Sequence, residues 1–247
     1  MSETTSLISD VLVPYETVKR NPQPNVLLQV AWANYWGTEY GSSAFWFAYS
    51  QYLEKFERLS VEIVARAKDD RSRSLFLSAI NKLKGPLDAS YLGSSVSSLA
   101  GLDETFNIIH LANSIIPEKA APTIEVATLQ AVVARLVELR EGLAESEIDV
   151  DLKTFLRSQL VFLEWAAANF EALGIEGLSK AYGMVASEVV RTWGVAATSE
   201  DVSSDPWWGK ARATLRLIGE GVIWSEKVAG GADKLLGFPE HLSKAIT

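Results

Sequence analysis

The sequence contains no cysteine, which removes several kinds of chemistry at once. There can be no disulfide framework, no thiolate nucleophile and no cysteine-based metal site, and a reducing compartment is compatible with this composition. The N-terminus lacks a basic region followed by an apolar one, so we predict no secretory signal. No uninterrupted apolar run approaches the roughly 18 residues of a membrane-spanning helix. We therefore expect a cytoplasmic protein.

Histidine is almost as scarce, since the chain holds only His110 and His241. Neither histidine has a partner at a zinc-binding spacing, and no Glu-x-x-His pair of a di-iron bundle is present. The phosphate-binding loop GxxxxGK[ST], the dinucleotide motif GxGxxG and the nucleophile elbow GxSxG are also missing. We therefore predict no catalytic residue, metal or cofactor, and expect His110 to be a partly buried helix residue. An enzyme is not excluded, but the absences favour a non-catalytic protein.

Positive charge is in deficit, with 23 Lys and Arg against 31 Asp and Glu and a net charge of −8. A general nucleic-acid binder needs a basic face that displaces counterions from phosphates, so this balance argues against one. The hydrophobic content of 48% beside 22% charged residues is typical of a globular chain.

The stretch from Asp149 to Trp193 defines the fold class. Its apolar residues recur at three- and four-residue steps, as on one face of an α-helix. Asp149 or Asp151 can cap the first helix, which we expect to end at Leu173 because Gly174 fits a left-handed C-terminal cap. A second helix should end at Gly194. Similar patterns along the chain predict an all-α bundle of about seven to nine helices with short connections.

We expect one helical domain over residues 1–247. It comprises an N-terminal arm (1–25) with a short helix near Thr5–Val11, aromatic-rich helices (26–101) and an amphipathic bundle (102–247). The segment 87–101, rich in glycine and serine, should form a loop or a short helix and is the best candidate for a flexible connection. The last helix should begin at Asp205-Pro206, and within it Gly219 and Gly221 can admit a close neighbour or allow a kink.

Ten of the 24 aromatic residues lie in 25 positions, from Trp32 to Phe56. Between Arg20 and Glu54 the only charged residue is Glu39. The preferred interpretation is a central core around a helix from about Ser43 to Ala67, because buried aromatic residues dominate cores. The alternative is a groove or exposed surface for a partner, lipid or ligand. Its candidate binding residues are Trp32, Tyr35, Trp36, Trp46 and Tyr49.

The run from Asp151 to Ala166 (DLKTFLRSQLVFLEWA), followed by LGIEGL from Leu173 to Leu178, carries a resemblance. Together with the leucine-rich helix before it, this block resembles a loose group of largely uncharacterised bacterial all-helical proteins over about residues 103–194. The resemblance implies a bacterial origin. It implies no activity and no functional residues.

Three functions fit these observations. The first is a non-catalytic bacterial interaction or regulatory protein with a protein partner or self-association, conceivably an accessory component of a phage-defence or toxin system. The second is attachment to a membrane surface through an apolar helix face, without spanning the membrane. The third is a small-molecule binder or enzyme with a pocket lined by Trp32, Trp36, Trp46 and Tyr49.

Overall fold

A computed structural model describes residues 4–116, 119–120, 124, 126–196 and 205–230. The described residues form nine α-helices and one pair of two-residue strands, which confirms the all-α prediction. The chain divides into two compact units, Met1–Ala121 and Pro122–Thr247. The expectation of a single domain stays a prediction.

Unit 1, Met1–Ala121, contains five α-helices, three short 3₁₀ segments and an antiparallel pair of two-residue strands in which Thr4 lies opposite Ala120. The helices are α1 (Leu7–Lys19), α2 (Leu28–Tyr35), α3 (Ser43–Arg66), α4 (Asp70–Lys84) and α5 (Asp103–Leu111); the 3₁₀ segments are Gly85–Leu87, Val96–Leu102 and Ala112–Ser114; and the strands are β1 (Thr4–Thr5) and β2 (Lys119–Ala120).

Helix α1 is longer than the short helix expected near Thr5–Val11. Ser6 caps it, because its side chain accepts the backbone N–H of Ser9 at 3.2 Å. The helix continues through Pro14, which has no N–H for the helical ladder. One face is buried in the core of unit 1 and explains why the helix persists, since burial of apolar side chains outweighs one lost hydrogen bond. That face consists of Ile8, Val11, Leu12, Tyr15 and Val18.

The segment 87–101 is anchored to the core, so the prediction of a flexible connection is wrong. Its backbone pairs with the chain before α2: the N–H of Leu28 donates to Ser94 O at 2.8 Å, and the N–H of Val96 donates to Val26 O at 2.9 Å. Apolar residues hidden among the glycines and serines are buried, and they hold the segment down. They are Leu87, Leu92, Val96 and Leu99.

Unit 2, Pro122–Thr247, contains the other four helices: α6 (Val126–Glu145), α7 (Val150–Ala168), α8 (Phe170–Ala196) and α9 (Pro206–Gly230). His241 lies outside the described residues.

Helix α7 begins where the sequence predicts but ends earlier. Asp149 caps it by accepting the N–H groups of Asp151 at 2.9 Å and Leu152 at 3.4 Å. The helix ends at Ala168 rather than at Leu173, because Asn169 adopts φ −101° and ψ 27° and its side-chain amide donates to Trp165 O. The stronger apolar periodicity through Leu173 concealed this local amide bond.

Helix α8 is bent at Gly174, where φ is +70° and ψ is −179°. Only glycine adopts this backbone region at low cost, which explains the residue at this position. The helix then continues past Gly194 to Ala196, so the predicted end at Gly194 is wrong.

Helix α9 packs against both α6 and α8 within unit 2. As predicted, Asp205 precedes Pro206 at its start and accepts the N–H of Trp207. Trp207 and Trp208 are buried, and the indole N–H of Trp207 donates to Leu139 O at 2.8 Å. These two side chains therefore serve the core of unit 2.

Candidate functional site

The aromatic residues of α2 and α3 come together across a short connection, residues 36–42. Gly37 and Gly41 have φ of 60° and 84°, values that L-residues with side chains rarely adopt. Ser42 then caps α3 by accepting the N–H of Phe45 at 3.1 Å. As a result, α3 runs from Ser43 to Arg66, within one residue of its predicted end.

The inner part of the aromatic cluster belongs to the core. Trp32 and Trp36 expose only 1% and 2% of their surface. Their rings stack with centroids 5.1 Å apart, one helical turn from each other on α2. Tyr52 lies 5.1 Å and Tyr15 5.5 Å from Trp32, measured between ring centroids. The structure therefore supports the core interpretation for these two tryptophans.

Two tyrosine hydroxyls in this core donate to backbone carbonyls of neighbouring helices. Tyr15 donates to Leu83 O at 2.8 Å, and Tyr52 donates to Val11 O at 2.6 Å. Burial raises the pKa of both phenols, because the phenolate would lose its hydration. The hydroxyls therefore act as structural donors that tie α1, α3 and α4 together.

The outer part of the cluster reaches solvent. Tyr40 and Trp46 are 43% and 40% exposed, and their ring centroids are 5.9 Å apart. Tyr49 is half-buried, lies 5.6 Å from Trp46 and donates its hydroxyl to Leu87 O. We call Tyr40, Trp46 and Tyr49 the aromatic edge.

The five residues predicted from the sequence thus form one connected network with two environments. Tyr35 lies 6.1 Å from Trp32, and Tyr49 lies 6.5 Å from Trp36. Trp32 and Trp36 are buried, Tyr35 and Tyr49 are half-buried, and Trp46 is exposed. Tyr40 was not among the predicted residues, although its place in the uncharged segment could have indicated it.

Two groups of charged residues were also missed. In unit 1, Asp10 of α1 faces Lys55 and Arg58 of α3: burial raises the pKa of Asp10, and burial lowers the pKa of Lys55. In unit 2, α6 and α7 form a groove of about 430 Å³, and Arg140 and Lys153 are among the residues that line it. Neither group follows a motif, because each forms only when two helices pack against each other.

Metal-binding groups, histidines and membrane-spanning helices give no further candidate site within the part of the chain that the structure describes. No group of three or more acidic or histidine side chains there could hold a metal ion. His110 is exposed rather than partly buried, and its Nε2 lies 3.4 Å from Glu16 Oε1. None of the described helices is long and apolar enough to cross a membrane.

The fold and the site define an all-α protein of two helical units, one of which carries an aromatic cluster with an exposed edge. No protein-family model matches the sequence, and neither the curated proteins nor the solved structures contain a significant match.

Proposed function

We propose that this chain is a non-catalytic interaction protein whose aromatic edge binds a protein partner. The observation that supports the proposal most directly is the exposure of Tyr40 and Trp46, at 43% and 40%, on top of a core that already buries the neighbouring rings. Tryptophan and tyrosine are the side chains most enriched at the centres of protein interfaces.

The packing beneath the aromatic edge favours binding of a protein partner. Phe45 is fully buried and its ring lies 5.0 Å from Tyr40 and 5.1 Å from Trp46. Tyr49 is fixed by its hydrogen bond to Leu87 O. The exposed rings therefore lose little conformational freedom on binding, which favours affinity.

The charges near the edge are few and negative. Glu39 precedes Tyr40, and Asp88 raises the pKa of Tyr49 in addition to the larger effect of burial. A partner with apolar side chains and a positive rim complements this surface, whereas an anionic membrane does not.

The test places a photoreactive amino acid at position 46 in cells of the source organism and compares cross-linked proteins with those obtained from position 111. Leu111 is a matched control, because it is also exposed, at 63%, and lies on α5 in the same unit. We expect a discrete cross-linked product at position 46 that is absent at position 111 and is lost when Tyr40→Ala is added.

A second measurement covers self-association, since another copy of this chain is a possible partner. Sedimentation of the wild type and of the Tyr40→Ala/Trp46→Ala variant distinguishes the two cases. If neither cross-linking nor sedimentation differs between the edge variants and Leu111→Ala, the edge has no binding role. Co-sedimentation with vesicles that is lost in the edge variant would instead favour membrane attachment.

We further propose that the protein acts in the bacterial cytoplasm, in an accessory role for a phage-defence or toxin system. The cysteine-free composition suits a reducing compartment. The bacterial assignment follows from the resemblance over about residues 103–194. The genes beside its own provide the test, because an accessory component should recur beside such a system.

A further inference from the structure

A groove between α6 and α7 in unit 2 has the size and the lining of a small-ligand site. Its volume of about 430 Å³ falls within the range of ligand pockets. Leu143 and Val150 supply apolar surface, and Arg140, Lys153 and Arg157 supply three cationic groups. Glu141 is the acidic residue in the lining.

The cationic groups converge from two helices. Lys153 and Arg157 lie four residues apart on α7, which places them on the same face one turn from each other. Lys153 donates to Ala144 O at 3.3 Å and to Ser146 O, at the end of α6. Those two bonds fix the ammonium group and leave one of its three N–H donors for another acceptor.

Arg157 is exposed and forms no ion pair or hydrogen bond with any residue that the structure describes. Its guanidinium group can approach an anion in the groove at little cost, because it need not first leave a carboxylate. The planar fork of donors suits a carboxylate or phosphate group.

Arg140 also lines the groove, and its Nε is buried without a hydrogen-bond partner. Its Nε lies 3.0 Å from Oε1 of Glu164, yet neither atom is aligned for a hydrogen bond, and both are buried. Burial raises the pKa of Glu164 despite the attraction of Arg140. The remaining N–H groups of Arg140 have no acceptor among the described residues, so they can donate to a bound oxyanion.

We propose that this groove binds a small organic oxyanion. Its carboxylate or phosphate group contacts Arg157, Lys153 and Arg140, and its apolar part packs on Leu143 and Val150. The proposal concerns unit 2 alone and does not depend on the aromatic edge of unit 1.

The experiment titrates the full chain with phenyl phosphate and with inorganic phosphate at constant ionic strength, following the amide resonances of α6 and α7 by NMR. We expect saturable shifts for both probes and tighter binding of phenyl phosphate, because only this probe has a ring to place on the apolar wall. If neither probe causes saturable shifts, the proposal is overturned.

Two arginine variants locate the site. Arg157→Gln should weaken phenyl phosphate binding about tenfold or more, as expected for the loss of a charge-assisted hydrogen bond. Arg135→Gln removes the same charge from an exposed position on α6 outside the groove and should leave the affinity unchanged. Equal affinities of the two variants would show that only net charge matters, and would reject the groove.

Arg157→Lys separates charge from geometry. Lysine keeps the positive charge but lacks the planar fork, so we expect an affinity between those of the wild type and Arg157→Gln. Circular dichroism of each variant checks that it is folded. An Arg157→Lys variant that binds no better than Arg157→Gln, while Arg135→Gln binds like the wild type, still supports contact at this position.

Discussion

Both units pack helices around a core, but the two cores consist of different side chains. Unit 1 uses large rings, among them Trp32, Trp36 and Phe45, and satisfies its phenols with backbone carbonyls. Unit 2 also buries Trp207, Trp208 and Tyr182, but most of its buried side chains are aliphatic, and several of them are small. Its buried small residues include Ala166, Ala167, Ala181 and Ala186.

This difference determines what each core tolerates. A core of rings depends on specific donors and on the volume of each ring, because a lost ring leaves a large cavity. A core of closely packed small residues is sensitive to overpacking, because it has no free volume for an added methyl group. Unit 1 should therefore be most sensitive to truncation, and unit 2 to enlargement.

The largest expected effect is the loss of Trp32. Trp32→Ala removes a ring that is 99% buried and should destabilise unit 1 by about 3–5 kcal/mol. Hydrogen exchange followed by mass spectrometry measures the two units separately and should show loss of protection in α1 to α4. The exposed Trp46 is the matched control, and Trp46→Ala should cost no more than about 0.5 kcal/mol. Similar costs for both tryptophans would contradict the division into core and edge.

Enlarging a buried glycine of unit 2 should have the next largest effect. A Cβ at Gly219 would lie 2.4 Å from Oη and 2.8 Å from Cζ of Tyr182, which confirms the predicted close approach. Gly219→Ala should therefore destabilise unit 2 by about 1–3 kcal/mol in urea unfolding.

Gly209 in the same helix is the control, because a Cβ there meets nothing within 4 Å. Gly209→Ala should stabilise the helix by up to about 1 kcal/mol, since alanine loses less conformational entropy than glycine. The contrast between small-residue packing and ring packing would be wrong if both glycine variants were stabilising.

Alkali should affect unit 1 through its buried phenols. The pKa of Tyr15 and of Tyr52 is raised in the folded state, so the stability they provide is complete below the unfolded value of about 10. That stability is lost as the pH rises from there through the folded values. ¹⁹F NMR of fluorotryptophan should show the signals of Trp32 and Trp36 change before those of Trp207.

Tyr52→Phe should reduce the steepness of this alkaline loss, at the cost of the hydrogen bond from the hydroxyl to Val11 O at neutral pH. Lys55 acts in the opposite direction, because its lowered pKa makes the folded state relatively more stable as the pH rises towards the unfolded value. An unchanged pH dependence in Tyr52→Phe would mean that this phenol does not control the transition.

The smallest expected effects are at the helix caps, where the two units should behave alike. Ser42→Ala and Asp149→Ala each remove a side chain that accepts backbone N–H groups, and each should cost about 1 kcal/mol in urea unfolding. The cost at Asp149 should decrease with added salt, because its charge also interacts with the helix dipole. Salt should leave the cost at Ser42 unchanged, and an equal salt effect at both caps would be unexpected.

The sequence was sufficient for the fold class and for most helix starts, because caps and apolar periodicity are local signals. Ser42, Asp149 and Asp205 are examples. It failed at 87–101, where tertiary contacts decide, because Leu92 and Val96 anchor a segment whose glycines and serines indicate a loop. It also failed at Asn169, whose local side-chain bond ends α7 inside an unbroken apolar pattern.

The candidate site was predictable in part for the same reason. The cluster of rings between Trp32 and Tyr49 is a property of composition, but the burial of Trp32 against the exposure of Trp46 depends on which helices cover α3. The groove of unit 2 has no local signal at all. Arg140 and Arg157 become neighbours only when α6 and α7 pack.

The strand pair β1–β2 has a mechanical consequence for unit 1. Thr4 lies opposite Ala120, so the chain enters and leaves this unit side by side. Tension applied at Thr4 and Ala120 would act first on this short antiparallel pair, and the aromatic core would not have to unfold for the pair to open. Because only two residue pairs join the strands and the pulled residues lie at one end of the pair, we expect the pair to open before the helices of unit 1 unfold.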